Sequence, residues 1–415
     1  MPRADTARLG RAVLPVAAIA VSMTFVGAVL AAAGSTLGYD FLAYYGAARR
    51  VLDGQAVYDL GFQRAGGFGL FLYPPTFLPV ILPFGLLGQA AATWAWVAAM
   101  VAALVAGIRL LPVPVTVRWV TLLLAGLSWP VAYTLKLGQV TPLLFLLAVL
   151  GWRAVEDGRR VEDRAPGSRS GASAGVGPGA GAGRGARGLR GRWWGSRAPV
   201  VLGVTAALGA AMKIQPGLLL AWALLGGRWR AVTAGVVTLV AVAAVATIPV
   251  GVGAWFDYVT LIRQVTDPVG TEHNITPGFV ARGLGLSADA AGAVQLAVAG
   301  AALLAMVVSV RRVTPAVSYL VALTASQLIS PVLWDHYAVL LLLPVAWLMA
   351  HGRRWAVLIP LATSLPLVWL TPLAAYPVLF AITLVALLWV GGRAGSAPAR
   401  PGGAGAAADV VADHA

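Results

Sequence analysis

Apolar residues form long uninterrupted runs along most of this chain, and charged residues are concentrated in the segments between the runs. A run of about 20 apolar residues is long enough to cross the hydrocarbon core of a bilayer as an α-helix. The pattern therefore predicts an all-α polytopic membrane protein. The clearest predicted spans are residues 11–33, 89–108, 229–250, 290–310 and 373–391.

Arginine-rich turns divide the second half of the chain into pairs of apolar segments. Cytoplasmic loops of membrane proteins carry an excess of Lys and Arg, so we place these turns, and both termini, in the cytoplasm. The predicted helix pairs between the turns are 198–212 with 214–226, 229–250 with 290–310, 314–330 with 336–350, and 354–370 with 373–391.

The same rule divides the first third of the chain. Two arginines place the turn 109–118 in the cytoplasm, which leaves room for only one span between it and the first outer loop. The proline-rich stretch 74–88 is therefore predicted to be re-entrant or interfacial, since irregular backbone at membrane depth needs shielding by protein or water. Spans 116–133 and 140–155 bring the predicted count to about 12.

A single transmembrane domain is predicted over residues 1–391, with long outer loops at 34–72 and 251–289. The segment 153–197 contains ten arginines against four acids and is rich in Gly, Ala, Ser and Pro. That composition is typical of a disordered linker, which we place in the cytoplasm. Residues 392–415 have a similar composition and are predicted to form a disordered cytoplasmic tail.

The overall composition excludes several classes of function. Charged residues make up 11% of the chain, against about 25% in soluble domains. The net charge of +15 does not indicate binding to nucleic acid, because the arginines lie at segment ends and in one loop. Cysteine is absent, which excludes disulfides, thiolate metal sites and cysteine nucleophiles.

The first outer loop contains a predicted amphipathic helix with an acidic residue at its start. Asp40 stands where an aspartate commonly caps a helix. A carboxylate in this position is also suited to act as a general base toward a sugar hydroxyl, and the residues alone leave both interpretations open. The apolar residues at helical spacing are Phe41, Tyr44, Tyr45, Ala48, Val51 and Leu52.

Other ionisable residues gather at the predicted outer ends of helices. Placing an ionisable side chain beside the membrane is energetically costly, so the cluster suggests a functional site. Lys213 lies between two short apolar helices, and broken helices that meet at a charge resemble an anion site. Snorkelling is the alternative for Lys213 and for Lys136. Asp335 and His336 are adjacent, and such a pair can bind phosphate or shuttle a proton. His273 and His336 show no metal-ligand spacing, so we predict neither a metal nor another cofactor.

Several short motifs follow one another in order from residue 40 to about residue 340. They are Asp40-Phe41, Tyr44-Tyr45-Gly46-Ala47-Ala48, Leu52-Asp53-Gly54, Val57-Tyr58-Asp59, Tyr73-Pro74-Pro75, Gly138-Gln139-Val140, Lys213-Ile214-Gln215-Pro216, Ser330-Pro331 and Trp334-Asp335-His336. In this order they resemble glycosyltransferase family 87, which contains actinobacterial polyprenyl-phosphate-mannose-dependent mannosyltransferases of the GT-C superfamily. Near Asn274 the chain departs from the Asn-Gln-Ser-like stretch that the family pattern leads us to expect.

The resemblance implies a fold, a reaction and a set of site residues. The fold would be a GT-C-like helical bundle, and Asp40 would be the catalytic base. Lys213, His336 and Lys136 would bind the phosphate of a polyprenyl-phosphate sugar donor. Mannose would pass, with inversion, to a glycolipid or lipoglycan acceptor at the outer face of the plasma membrane. The substrate-binding residues would be Tyr44, Tyr73, Gln139, His273, Asn274, Trp334 and Asp335.

Three alternatives accompany this interpretation. Within the family, the donor could be a polyprenyl-phosphate arabinose. A transporter or lipid flippase would also contain broken helices and intramembrane charge, but we would expect two similar halves and charges near the midplane. The sequence has no evident internal repeat, and its charges gather at one predicted face. A non-catalytic membrane scaffold would not need such convergence.

Overall fold

The computed structural model of the chain describes residues 2–61, 69–162, 185–265, 274–370, 372 and 374–396. Within these ranges the regular elements are helices, which confirms the predicted class, and an isolated β-bridge joins Ser128 to Ser364. The α-helices are α1 (Pro2–Ala32), α2 (Tyr39–Leu52), α3 (Leu78–Gly85), α4 (Gln89–Leu110), α5 (Val115–Leu127), α6 (Trp129–Leu137), α7 (Thr141–Glu162), α8 (Gly185–Met212), α9 (Leu218–Leu225), α10 (Trp229–Val250), α11 (Gly253–Val265), α12 (Pro277–Gly283), α13 (Ala288–Arg312), α14 (Pro315–Ile329), α15 (Leu342–Ala350), α16 (Leu358–Ala362) and α17 (Ala375–Ser396). Short 3-10 turns occupy Gly34–Thr36, Pro75–Phe77, Gln215–Gly217, Asp335–Leu341 and Arg354–Val357.

The described helices differ in their ability to cross a membrane. Five are long and apolar enough on their own: Val13–Ala32 of α1, α4, α10, α13 and Ala375–Arg393 of α17. Together, α6 and α7 form a sixth candidate that is bent by 119° at its break. Other apolar helices, including Pro75–Gly85 in the predicted re-entrant segment, are 10 to 17 residues long. These would cross only as parts of broken spans, so the count of about 12 remains a prediction.

Two predicted spans are interrupted. Residues 116–133 are divided at Ser128 between α5 and α6. The predicted span 354–370 is wrong, because that segment contains only a 3-10 turn, the five-residue α16 and further turns. The two breaks pair with each other: Trp129 N donates to Thr363 O (2.9 Å), and Leu365 N donates to Leu127 O (2.7 Å). Each break thus supplies hydrogen-bond partners that an apolar environment cannot provide.

The helices beside the predicted linker extend into it. Because α7 continues to Glu162 and α8 begins at Gly185, the prediction of disorder over 153–197 is wrong at both ends. Similarly, α17 continues to Ser396, beyond the predicted start of the tail. The remaining parts of both predictions, 163–184 and 397–415, lie outside the described residues.

The buried core surrounds α14, whose residues from Ala316 to Leu328 are all buried. Neighbouring helices α7, α9, α13 and α17 pack against it. By contrast, only 6%, 17% and 22% of the span windows of α1, α10 and α13 are buried. A helix that exposes apolar side chains in this way is suited to face lipid, whereas α14 is suited to the interior of the bundle.

Two glycines allow close contact between α8 and α10. A Cβ added to Gly203 would lie 2.0 Å from Ala231 O, and a Cβ added to Gly235 would lie 3.2 Å from Gly203 O. Small residues let membrane helices approach until their backbones touch. The contact fixes the position of α8, and therefore of Lys213 just beyond its C-terminal end.

Gly203→Val is expected to destabilise the protein, because the added side chain must separate α8 from α10. Overpacking of this kind costs about 1–3 kcal/mol or more. The measurement is the apparent melting temperature of detergent-solubilised protein. Gly300→Val is the matched control, since a Cβ at that α13 position meets nothing within 4 Å. Equal melting temperatures for the two variants would contradict the close contact.

Single cysteines added to this cysteine-free chain test its orientation in the membrane. We expect an impermeant maleimide to label Leu60→Cys, but not Gly175→Cys, in intact cells. The physical reason is that the arginine-rich segment is retained in the cytoplasm. Labelling of Gly175→Cys without labelling of Leu60→Cys would reverse the predicted orientation.

Candidate active site

The start of α2 is fixed by Gly38. This residue is the N-cap, with a φ of 73°, which is in the left-handed region that favours glycine. Its backbone N donates to Lys136 O (2.7 Å), so α2 begins beside the end of α6. Asp40 lies inside the helix, in its first turn. The interpretation of Asp40 as the helix cap is therefore wrong.

One face of α2 packs into an aromatic cluster. The ring of Phe41 stacks on that of Trp96 at a centroid distance of 5.3 Å, and Tyr44 meets Phe77 edge to face at 5.2 Å. Of the residues predicted to share one face, Phe41, Tyr44 and Ala48 are buried, whereas Leu52 is exposed. This packing fixes the rotation of α2 about its axis, and with it the direction of Asp40.

The carboxylate of Asp40 is paired with the side-chain amide of Gln139. Gln139 is buried and follows Gly138, which ends α6 and accepts a hydrogen bond from Trp96 Nε1 (2.7 Å). Its Nε2 donates to Asp40 Oδ2. Its Oε1 accepts from Tyr73 OH (3.0 Å) and lies 3.3 Å from Tyr44 OH. A single amide therefore connects two tyrosines to the acid.

The backbone near Tyr73 is anchored at two points. Tyr58 OH donates to Tyr73 O (2.8 Å), and burial raises the pKa of Tyr58 far above its ordinary value, so this hydroxyl remains a donor. Thr76 Oγ1 donates to Ala211 O near the end of α8 (2.6 Å). The second bond attaches the segment after Tyr73 to the end of α8, next to Lys213.

Lys213 occupies the break between α8 and the turn Gln215–Gly217. Its Nζ lies 3.4 Å from Gln139 Oε1 and 4.1 Å from the centroid of the Tyr337 ring. None of the ion pairs within the described residues includes this ammonium. An amide oxygen and an aromatic face thus stabilise its charge. Among the described residues no carboxylate lies within ion-pair distance of this compact ammonium, which makes it suited to receive an anion.

A second turn, residues 330–337, closes the site. Gln215 Nε2 donates to Ser330 Oγ (2.6 Å), which ties this turn to the break that carries Lys213. From another side, Asn274 Oδ1 accepts from Leu333 N (2.8 Å) and its Nδ2 donates to Pro331 O (3.1 Å). The predicted substrate residue Asn274 is therefore buried behind the turn and holds its backbone in place.

The same turn presents Asp335 and His336. Asp335 Oδ1 accepts from His336 N (2.7 Å) and lies 3.6 Å from His336 Nδ1. The imidazole ring packs edge to face on Tyr337 at 4.9 Å and parallel to Trp334 at 6.4 Å. Although the side chain is only 4% exposed, neither ring nitrogen has a hydrogen-bond partner among the described residues. Because Nδ1 lies beside Asp335 and buried polar atoms normally have partners, Nε2 is the nitrogen suited to contact a ligand.

Most of the predicted site residues converge. The hydrogen-bonded network contains Asp40, Tyr44, Tyr73, Gln139 and Lys213, and the turn with Trp334, Asp335 and His336 borders it through Tyr337. Lys136 contacts this region through its backbone oxygen, while its Nζ lies over the ring of Tyr133 at 5.8 Å. The predicted residue His273 lies outside the described residues.

The sequence argument misses Tyr337, whose ring lies between Lys213 and His336. An aromatic residue at a helix boundary is typical of the membrane interface, so its position alone does not distinguish it. Its adjacency to His336 is the one signal in the sequence that points to it.

The fold and the buried polar network define an all-α membrane protein in which one amide joins an acid to a lysine. A family model of glycosyltransferase family 87 matches residues 71–183 and 185–331, more than half of the chain, and the chain belongs to this family. It is therefore a membrane glycosyltransferase. The matched region begins after Asp40 and ends before Asp335. No curated protein and no solved structure matches the chain.

Proposed function

We propose that this glycosyltransferase moves a mannosyl residue from a polyprenyl-phosphate donor to a glycolipid or lipoglycan acceptor at the outer face of the plasma membrane. The observation that carries the proposal is the Gln139 amide, which contacts the Asp40 carboxylate at one end and the Lys213 ammonium at the other. Transfer from a sugar phosphate needs a base for the acceptor hydroxyl and positive charge for the leaving phosphate. Asp40 and Lys213 supply these two groups.

In the proposed reaction, Asp40 takes the proton of an acceptor hydroxyl while that oxygen attacks the anomeric carbon of the donor sugar. The bond from this carbon to the phosphate oxygen breaks in the same displacement, and polyprenyl phosphate leaves with the bonding electrons. The configuration at the anomeric carbon is thereby inverted. Lys213 and His336 stabilise the phosphate charge, and Lys136 adds positive charge at longer range.

A lipid-linked donor fits a fold made of apolar helices. Such a donor stays in the bilayer and would enter the site laterally from the membrane. The arginine-rich turns support the proposed outer location, because such turns are typical of cytoplasmic loops and lie at the opposite ends of the helices. Asp40 and the turn 330–337 then lie on the same, outer side.

Asp40→Asn is expected to lower the transfer rate by about 10²–10⁴, because the amide cannot take the proton. Asp40→Glu should recover little, since one added methylene displaces the carboxylate by about 1 Å. The measurement is incorporation of radiolabel from polyprenyl-phosphate-mannose into the envelope glycolipids of the source organism by purified protein. Parallel reactions with polyprenyl-phosphate-arabinose test which of the two sugars the protein transfers.

Asp289→Asn is the matched control for this experiment. Asp289 is also in the first turn of a helix, α13, but its side chain is exposed. We expect near wild-type transfer from this variant. An Asp40→Asn protein that is as active as Asp289→Asn would remove Asp40 from the reaction, and faster transfer of arabinose than of mannose would replace the proposed donor.

Lys213→Ala is expected to weaken donor binding by about ten- to a hundredfold, because a charge-assisted contact to phosphate contributes about 1.5–3 kcal/mol. His336→Ala should have an effect of the same sign. Lys213→Arg keeps the charge and should retain part of the affinity, although its planar guanidinium differs in shape from an ammonium. The measurement is retention of radiolabelled donor by protein in nanodiscs. Arg312→Ala, at an exposed position, is the control. If Lys213→Ala binds the donor as tightly as Arg312→Ala does, Lys213 has no role in donor binding.

A further inference from the structure

The Gln139 side chain has a defined orientation at the centre of the site. The oxygen and nitrogen of a side-chain amide are similar in size, so the surrounding donors and acceptors decide which atom occupies which position. Here the hydroxyl of Tyr73 and the ammonium of Lys213 both point at one end of the amide, at 3.0 Å and 3.4 Å. A lysine ammonium has no acceptor, so this end must be the oxygen. The NH2 group is therefore directed at Asp40.

The two tyrosines form a directional chain behind this amide. Tyr44 OH donates to Tyr73 OH (2.7 Å), which leaves the Tyr73 hydrogen for Gln139 Oε1. The chain continues from Gln139 Nε2 to Asp40 Oδ2, so every hydrogen bond in it points toward the carboxylate. Hydrogen bonds arranged in one direction polarise and strengthen one another. Tyr44 is 1% exposed, which keeps the origin of this chain away from water.

We propose that Gln139 is a positioning residue that orients the Asp40 carboxylate for proton transfer, and that Tyr73 and Tyr44 lock the Gln139 amide in the orientation that does so. The role of Asp40 rests on the proposed function, whereas the lock itself is a statement about geometry. Holding Oδ2 with the amide leaves Oδ1 to accept the proton of the acceptor hydroxyl.

The tyrosines have a specific purpose in this arrangement. When a phosphate binds, Lys213 turns its hydrogen bonds toward it and the 3.4 Å contact with Gln139 weakens. Without Tyr73, the amide oxygen would then lose its remaining donor, and only the bond to Asp40 would hold the amide. Tyr73 keeps the amide in place through this step. The base thus stays oriented at the moment when the donor is bound.

The test combines Gln139→Met, which keeps the chain length but removes both polar ends, with Tyr73→Phe, which removes only the locking hydroxyl. We expect Gln139→Met to lower kcat by about 10–10², because catalytic geometry tolerates little displacement. Donor KM should change by less than about threefold. Tyr73→Phe should lower kcat in the wild-type background and should have no further effect in the Gln139→Met background, since coupled residues are non-additive.

Gln327→Leu is the control for loss of a buried glutamine. Gln327 lies in α14, and its Nε2 donates to Ser326 Oγ rather than to any residue of the site. We expect wild-type kcat from this variant. A Gln139→Met enzyme with unchanged kcat, or one with a raised donor KM alone, would overturn the positioning role. If the double variant loses kcat by the product of the two single losses, the two residues act independently. That result would overturn the proposal that Tyr73 locks the Gln139 amide.

Cryo-EM of the same variants gives a readout that does not depend on transfer. We expect the Asp40 carboxylate to rotate in Gln139→Met and to keep its position in Gln327→Leu. If the Asp40 carboxylate keeps its orientation in Gln139→Met, the inference is overturned, and this outcome does not depend on which sugar the protein transfers. Absence of transfer by the wild-type protein, with Asp40 displaced in Gln139→Met, would count against the proposed function and leave the positioning geometry supported.

Discussion

Asp40 and Lys213 are a half-buried acid and a half-buried base at helix boundaries of a mostly apolar fold, and each contacts one end of the same amide. Moving a charge out of water costs several kcal/mol unless other groups compensate for its lost hydration. Gln139 offers a donor to the acid and an acceptor to the lysine, and the ring of Tyr337 adds a negative aromatic face. The four parts of the chain that carry these groups, α2, the end of α6, the break after α8 and the turn before α15, must therefore meet at one place.

Sequence patterns predict the uniform helices well and the interrupted ones poorly. The apolar run 229–250 coincides with α10, whose proline, Pro249, lies only one residue before its end. The run 354–370 is also apolar, but Pro360 and Pro366 interrupt it, and its backbone pairs with the break at Ser128 instead. Hydropathy measures transfer into lipid and carries no information about a hydrogen-bond partner elsewhere in the chain.

The same limitation applies to the site. Residue type and helix boundaries are enough to single out Asp40, Lys213 and His336, because charge beside apolar segments is costly. They do not decide between a cap and a base for Asp40, since its partner Gln139 is 99 positions away in sequence. Nor do they separate Asn274, which supports the turn from behind, from residues that belong to the hydrogen-bonded network of the site. Such distinctions depend on packing, which a linear pattern does not contain.

The pairing between the two helix breaks has a consequence for biogenesis. Membrane helices enter the bilayer in the order of their synthesis, so α5 and α6 are inserted long before residues 363–365 leave the ribosome. Until then Trp129 N and Leu127 O lack the partners that they have in the finished protein. The break between α5 and α6 therefore keeps these hydrogen bonds unmade until residues 363–365 are synthesised. Gly138 and Gln139 directly follow α6, so their position depends on this break. The glycosyltransferase site is therefore completed only when the last third of the chain has arrived.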